Sequence, residues 1–271
     1  MLALLLSCDT PDSIAKFSSS AVVTLASGNA IFDDMKASCL RESQTQESLG
    51  TFSLANDQTP AACEEIGKQA DGLKAAAQIL CRYFSALNDL ASFGSSKAGD
   101  DAKALFEKTS AQARLSSARR DALASITGLL TRIATSGYQQ RQLADDIVKV
   151  HEDIQAALDG LGEAAGVVYL HELQFEEART ATRYKEFLAE HPGAPDVILV
   201  LDARWQTDRA GFAARENAAL GFKSALATLA RGNEELAGHA RSFKTRELAG
   251  VLDPYAAQLE SLAPAIQKAF F

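Results

Sequence analysis

The chain has no run of apolar residues approaching the ~20 that a membrane-spanning helix needs. It is also poor in the residues that break helices or mark strands, with only 6 prolines, 5 tyrosines and 1 tryptophan among 271 residues. Val197-Ile-Leu-Val-Leu201 is the one run that could pass for a strand. A single strand has no partner for its backbone, so a β-fold is excluded. No dense Lys/Arg run is present and the formal charge is −8. Nucleic-acid binding is excluded on that ground, because neutralising phosphates supplies most of its affinity. Arg114, Arg119 and Arg120 read as a solvated helix face.

Catalytic motifs are missing as well. There is no Gly-x-Ser-x-Gly elbow. Gly94-Ser-Ser-Lys-Ala-Gly99 has the glycine gap of a phosphate loop, but Asp100 and Asp101 follow where a lysine and a hydroxyl are required. Gly160-Leu-Gly162 lacks the preceding strand of a dinucleotide loop. A di-iron bundle needs glutamate three residues before histidine. Here His151, His171, His191 and His239 follow Val148, Val168, Leu188 and Leu236. No cysteine or histidine pair has zinc-ligand spacing. The expectation is a protein without enzyme activity, cofactor or metal. His171, in phase with Val168 and Phe175, reads as a hydrogen-bonded core residue.

What is present is a folded composition, 47% hydrophobic and 23% charged, dominated by good helix formers. A first helix reads from Thr10 to Arg41, with Thr10 as its cap and Pro11 in its first turn. Polar residues 43–58 make a loop. Thr59-Pro60 starts a second helix whose seam is Cys63, Ile66, Ala70, Leu73, Ala77, Leu80, Phe84, Leu87 and Ala91. A third helical region covers Asp100 to Ser136. A fourth covers Tyr138 to Glu190, with Leu158, Leu161, Val168, Phe175 and Ala178 on its apolar face and a kink expected at Gly160 or Gly162. His191-Pro192-Gly193 ends it.

The fifth helix follows Pro195. Its seam, Ile198, Leu201, Trp205, Phe212, Ala219, Phe222, Leu226 and Leu229, keeps phase through Leu236, Ala240 and Phe243. A turn at Gly232-Asn233 would have freed that phase. One helix of about 50 residues, about 75 Å long, is therefore predicted, and Gly232→Ala should be tolerated or stabilising. A last helix starts at Asp253-Pro254. Such stripes must bury each other, giving an all-α fold, an elongated antiparallel bundle of about five to six long amphipathic helices in which residues 9–271 form a single domain.

Two constellations stand out. Cys39, near the end of the first helix, and Cys63, near the start of the second, meet across a helical hairpin. Cys81 lies roughly 27 Å further along the helix, too far to compete. A Cys39–Cys63 disulfide is the expected pairing, with reduced, buried thiols as the alternative. Asp208 and Arg215 occupy seam positions of the fifth helix one heptad apart. They form either a buried polar layer, which binds a ligand or fixes register, or an edge-exposed stretch with Arg215 extending its head to water. The second, plainer reading is favoured.

Leu5-Leu6-Ser7-Cys8 resembles a bacterial lipobox, in which a leucine and two small residues precede the cysteine that receives diacylglycerol. The resemblance covers residues 1–8 and implies lipidation of Cys8, with translation expected to begin upstream so that a basic region precedes the apolar run. Asp9 resembles the inner-membrane retention signal of such lipoproteins. The resemblance thus implies a bacterial cell-envelope protein, lipid-anchored and facing the periplasm. The expected role is a non-enzymatic helical scaffold or docking module for an envelope protein partner. A bundle that binds a small or lipidic ligand, and an immunity or accessory protein for a secreted toxin, are the alternatives.

Overall fold

Helix capping and apolar periodicity account for most of the architecture. The computed structural model describes residues 9–47, 60–91, 101–112, 115–135, 140–190, 192, 195–240 and 246–270, and among them there is no strand. Helices α1 (Asp9–Ser27), α2 (Asn29–Glu47) and α3 (Ala61–Ala91) are followed by α4 (Ala102–Gln112) and α5 (Ser117–Thr135). Helix α6 (Gln140–Glu163) passes through a π-helical segment, Ala164–Tyr169, into α7 (Leu170–Glu190). Helices α8 (Pro195–His239) and α9 (Arg246–Lys268) complete the described fold. The fold is the all-α helical bundle expected. Cys8 lies outside the described residues.

The boundaries depart from the expected ones where local packing or capping intervenes. The first helix is broken at Gly28, where a Cβ would stand 2.2 Å from the Phe222 ring. That junction therefore presses backbone against an aromatic face. The third region divides into α4 and α5. Ser116 caps α5, its hydroxyl accepting from the Arg119 N–H at 3.4 Å. Helix α9 begins at Arg246 rather than Asp253, so Pro254 and Pro264 are internal. Both prolines lie on the exposed face of the helix.

Helix α8 is one uninterrupted helix of 45 residues, about 67 Å long. Gly232 and Asn233 are buried within it, and the Tyr83 hydroxyl donates to Asn233 Oδ1 at 3.3 Å. The expected tolerance of alanine at Gly232 is nonetheless corrected. A Cβ there would lie 2.4 Å from Phe17 Cε2, so glycine is set by the neighbouring ring and not by a turn.

Cross-helix contacts fix the directions. Along α8, Gly232 meets Phe17, Phe222 meets Phe32 and Arg215 meets Asp34, so α8 runs antiparallel to α1 and α2. Helix α9 runs back beside α1, with Ser20 Oγ 3.2 Å from Glu260 Oε1. Cys39 and Cys63 are joined, with Cα atoms 5.5 Å apart, and tie the end of α2 to the start of α3. One apolar core, including Phe17, Phe32, Leu80, Phe84, Ile154 and Phe222, runs through the bundle.

The α7–α8 hairpin projects beyond this core, at the end opposite the start of α1. From Thr182 to Glu190 every side chain except the half-buried Tyr184 is exposed, as are those of residues 195–200. His171 is also exposed, edge-on to Phe175, correcting its expected place in the core.

Candidate functional site

The π-helical segment explains both that correction and the site. Continuing the α6 phase without interruption would bury Val168, Phe175 and Ala178. The segment accommodates one extra residue, so Tyr169, Leu173 and Glu176 turn inward instead, while Phe175 is left 48% exposed. A carboxylate thus enters the bundle where the unbroken periodicity placed a phenylalanine.

Glu176, 3% exposed, sits between two guanidinium groups. Arg41 of α2 grips it with two bonds, Nε to Oε1 at 2.6 Å and Nη2 to Oε2 at 3.0 Å. Arg215 of α8 approaches from the other side, with Nη1 3.1 Å from Oε2. The Ser38 hydroxyl donates to the same oxygen at 2.7 Å. One turn below, Asp34 of α2 accepts from Arg41 Nη2 at 2.9 Å, from Arg215 Nη1 at 3.1 Å and from the Tyr169 hydroxyl at 2.7 Å. Arg215 also lies over the Phe212 ring, 4.9 Å from its centroid.

Two carboxylates and two guanidiniums therefore close a neutral network across α2, α7 and α8. Burial opposes the charged form of Arg41, yet the hydrogen bonds it donates to Glu176 and the charge of Asp34 outweigh it and raise its pKa. Burial pushes the Tyr169 phenol up as well, reinforced by the Asp34 charge that its proton faces. Such a network is suited to fixing helix register, since any slip leaves a buried charge unpaired.

The two polar seam residues of α8 part company here. Arg215 belongs to the buried layer, with its side chain only 15% exposed, so the plainer reading of a head extended to water is corrected. Asp208 lies two turns nearer the hairpin tip. It accepts from the Tyr184 hydroxyl at 2.8 Å and pairs with Arg204 at 3.2 Å. Asp34, Arg41, Tyr169 and Glu176 were not singled out in the sequence. The inward Glu176 was hidden by the π-helical shift, while Asp34 and Arg41 look like ordinary polar positions of an amphipathic helix.

Between this layer and the hairpin tip, α2, α7 and α8 enclose an open cleft of about 600 Å³. Its walls include Arg41, Arg183, Tyr184, Arg204, Phe212 and Arg215. Phe187 stands at the outer edge of the cleft, and beyond it Leu188 of α7 and Val197, Ile198, Leu199 and Val200 of α8 expose apolar surface, with Leu199 at 71% and Val200 at 67%. Among the described residues no group of three or more His, Cys, Asp or Glu side chains is placed to hold a metal ion, and no helix is long and apolar enough to cross a membrane. Compared with known families, curated proteins and solved structures, the chain matches none.

Proposed function

We propose that this protein is a non-enzymatic cell-envelope lipoprotein, anchored through Cys8 and facing the periplasm, whose α7–α8 hairpin docks an envelope protein partner. The observation that carries the reading is the exposed apolar tip. Successive residues of a helix point about 100° apart, so Ile198 turns toward Leu188 of α7, while Val197, Leu199 and Val200 present apolar surface on the side of α8 that α7 leaves open. Glu190 and Asp196 flank the apolar residues, and carrying two carboxylates into lipid disfavours a bilayer as the occupant.

The distance from the anchor supports the same reading. The start of α1 and the hairpin tip lie at opposite ends of the bundle, separated by most of the length of α8, about 67 Å. A lipid on Cys8 would hold one end at the membrane and present the tip well out into the periplasm. The neutral network at the hairpin's base keeps that arm in register.

Two measurements test this. Cys8→Ala should release the protein from membranes and abolish fatty-acid labelling; unchanged fractionation would remove the lipid anchor. A photoreactive residue at Leu199 should give a discrete adduct with one envelope protein in cells, abolished by Val200→Glu. The same probe at Val23, exposed on α1 far from the tip, should give none. Absence of a tip adduct, or identical adducts from both positions, would overturn the docking role.

A further inference from the structure

The cleft between the neutral network and the hairpin tip has a charge balance that the network does not explain. Four guanidiniums line it, those of Arg41, Arg183, Arg204 and Arg215. Arg41 and Arg215 are matched by Asp34 and Glu176, and Arg204 is matched by Asp208. Arg183 has no ion-pair partner among the described residues, which leaves one positive charge on the wall of the cleft. The whole chain carries −8, so a net positive cavity runs against the protein's overall field.

The rest of the lining is apolar in the places a ligand body would occupy. Phe187 and Leu201 form the apolar wall toward the tip, while Phe212 is buried beneath Arg215 at the base of the cleft. The volume, about 600 Å³, falls within the range of small-molecule sites. Arg215 retains donor capacity, since its Nη2 makes only a 3.5 Å contact with Glu176 Oε1.

We infer that this cleft binds a singly charged anion carried on an apolar or aromatic body, such as a carboxylate or sulfonate amphiphile. The acidic group would pair with Arg183 and the outward edge of Arg215, and the body would lie against Phe187 and Leu201. A monoanion fits the single uncompensated charge; a dianion would leave one of its charges unmatched. The site shares Phe187 with the edge of the apolar tip but uses neither Leu199 nor Val200, and it does not depend on the docking role.

The test uses the full-length protein and two fluorescent probes of similar shape, anilinonaphthalene sulfonate and the uncharged phenylnaphthylamine. The sulfonate should bind with one-site stoichiometry and about tenfold more tightly than the neutral probe, the scale expected of one charge-assisted pair. Arg183→Gln, a change at an exposed position that leaves the fold intact by circular dichroism, should remove that preference and leave the neutral probe unaffected. A double change at the tip, Leu199→Ser with Val200→Ser, should leave sulfonate affinity unchanged. Equal affinity for the two probes, no effect of Arg183→Gln, or loss of binding in the tip variant would each overturn the assignment.

Discussion

Glu176 shows how much depends on one side chain. Three of its neighbours, Ser38, Arg41 and Arg215, donate to it directly, so truncation strands two guanidiniums beside Asp34 alone. Glu176→Ala should destabilise the fold by about 3–5 kcal/mol, read as a lowered urea midpoint with the slope unchanged. Gly232→Ala should also destabilise, by about 1–3 kcal/mol, because its methyl group meets the Phe17 ring; shrinking that ring with Phe17→Leu in the same chain should recover part of the loss. The Cys81 thiol is pushed up to about 12 by burial, from 9.0. A folded pKa above the unfolded one means the stabilisation is complete below pH 9 and is lost as the pH rises from there toward 12. Replacing Cys81 with Ala should flatten that alkaline decline, measured by denaturation at several pH values.

At the scale of elements, the π-helical segment is the feature that most changes what the sequence implies. Periodicity was sufficient to read α3, whose expected seam from Cys63 to Leu87 is buried apart from the partly buried Ile66, and to read α8 as continuous through Gly232. It was insufficient beyond Leu161, because a local insertion shifts every later position while leaving composition untouched. Capping was similarly half-legible: Ser116 is a good cap in retrospect, but the surrounding residues kept enough apolar phase to suggest one helix. Internal prolines misled at α9, since a proline on the solvent face can sit within a helix as well as start one. The disulfide was legible because a hairpin leaves the two ends of its neck few alternatives. If the π-helical segment holds one surplus residue, deleting the exposed Val167 should return it to α-helix while keeping Tyr169, Leu173 and Glu176 inward. The melting temperature should then fall little or rise. Inserting an alanine between Glu172 and Leu173 should instead rotate Glu176 outward by about 100° and unfold much of α7. Equal damage from both changes would show that the register is not set there.

At the scale of the whole molecule, α8 exceeds the diameter of any sphere this chain could fill. A compact globule of 271 residues would have a radius of gyration near 18.5 Å, whereas the hairpin extends the particle to at least about 67 Å in one direction. Small-angle scattering of the monomer should give a larger radius and a distance distribution tailing to that length; a symmetric, compact distribution would show the hairpin folded back. The bundle also has a consequence in time. Helix α1 packs most extensively against α9, and Ser20 reaches Glu260 across 240 positions of sequence. During synthesis α1 emerges early and can meet α3, where Phe17 packs edge-on against Phe84. Its other cover, from Gly232 of α8 and from α9, arrives only with the far end of the chain, so closure depends on contacts of the longest sequence separation in the bundle. A chain built this way cannot complete its bundle until the last helix has been made, so a product truncated before α9 would keep one apolar face of α1 uncovered however well the rest had folded.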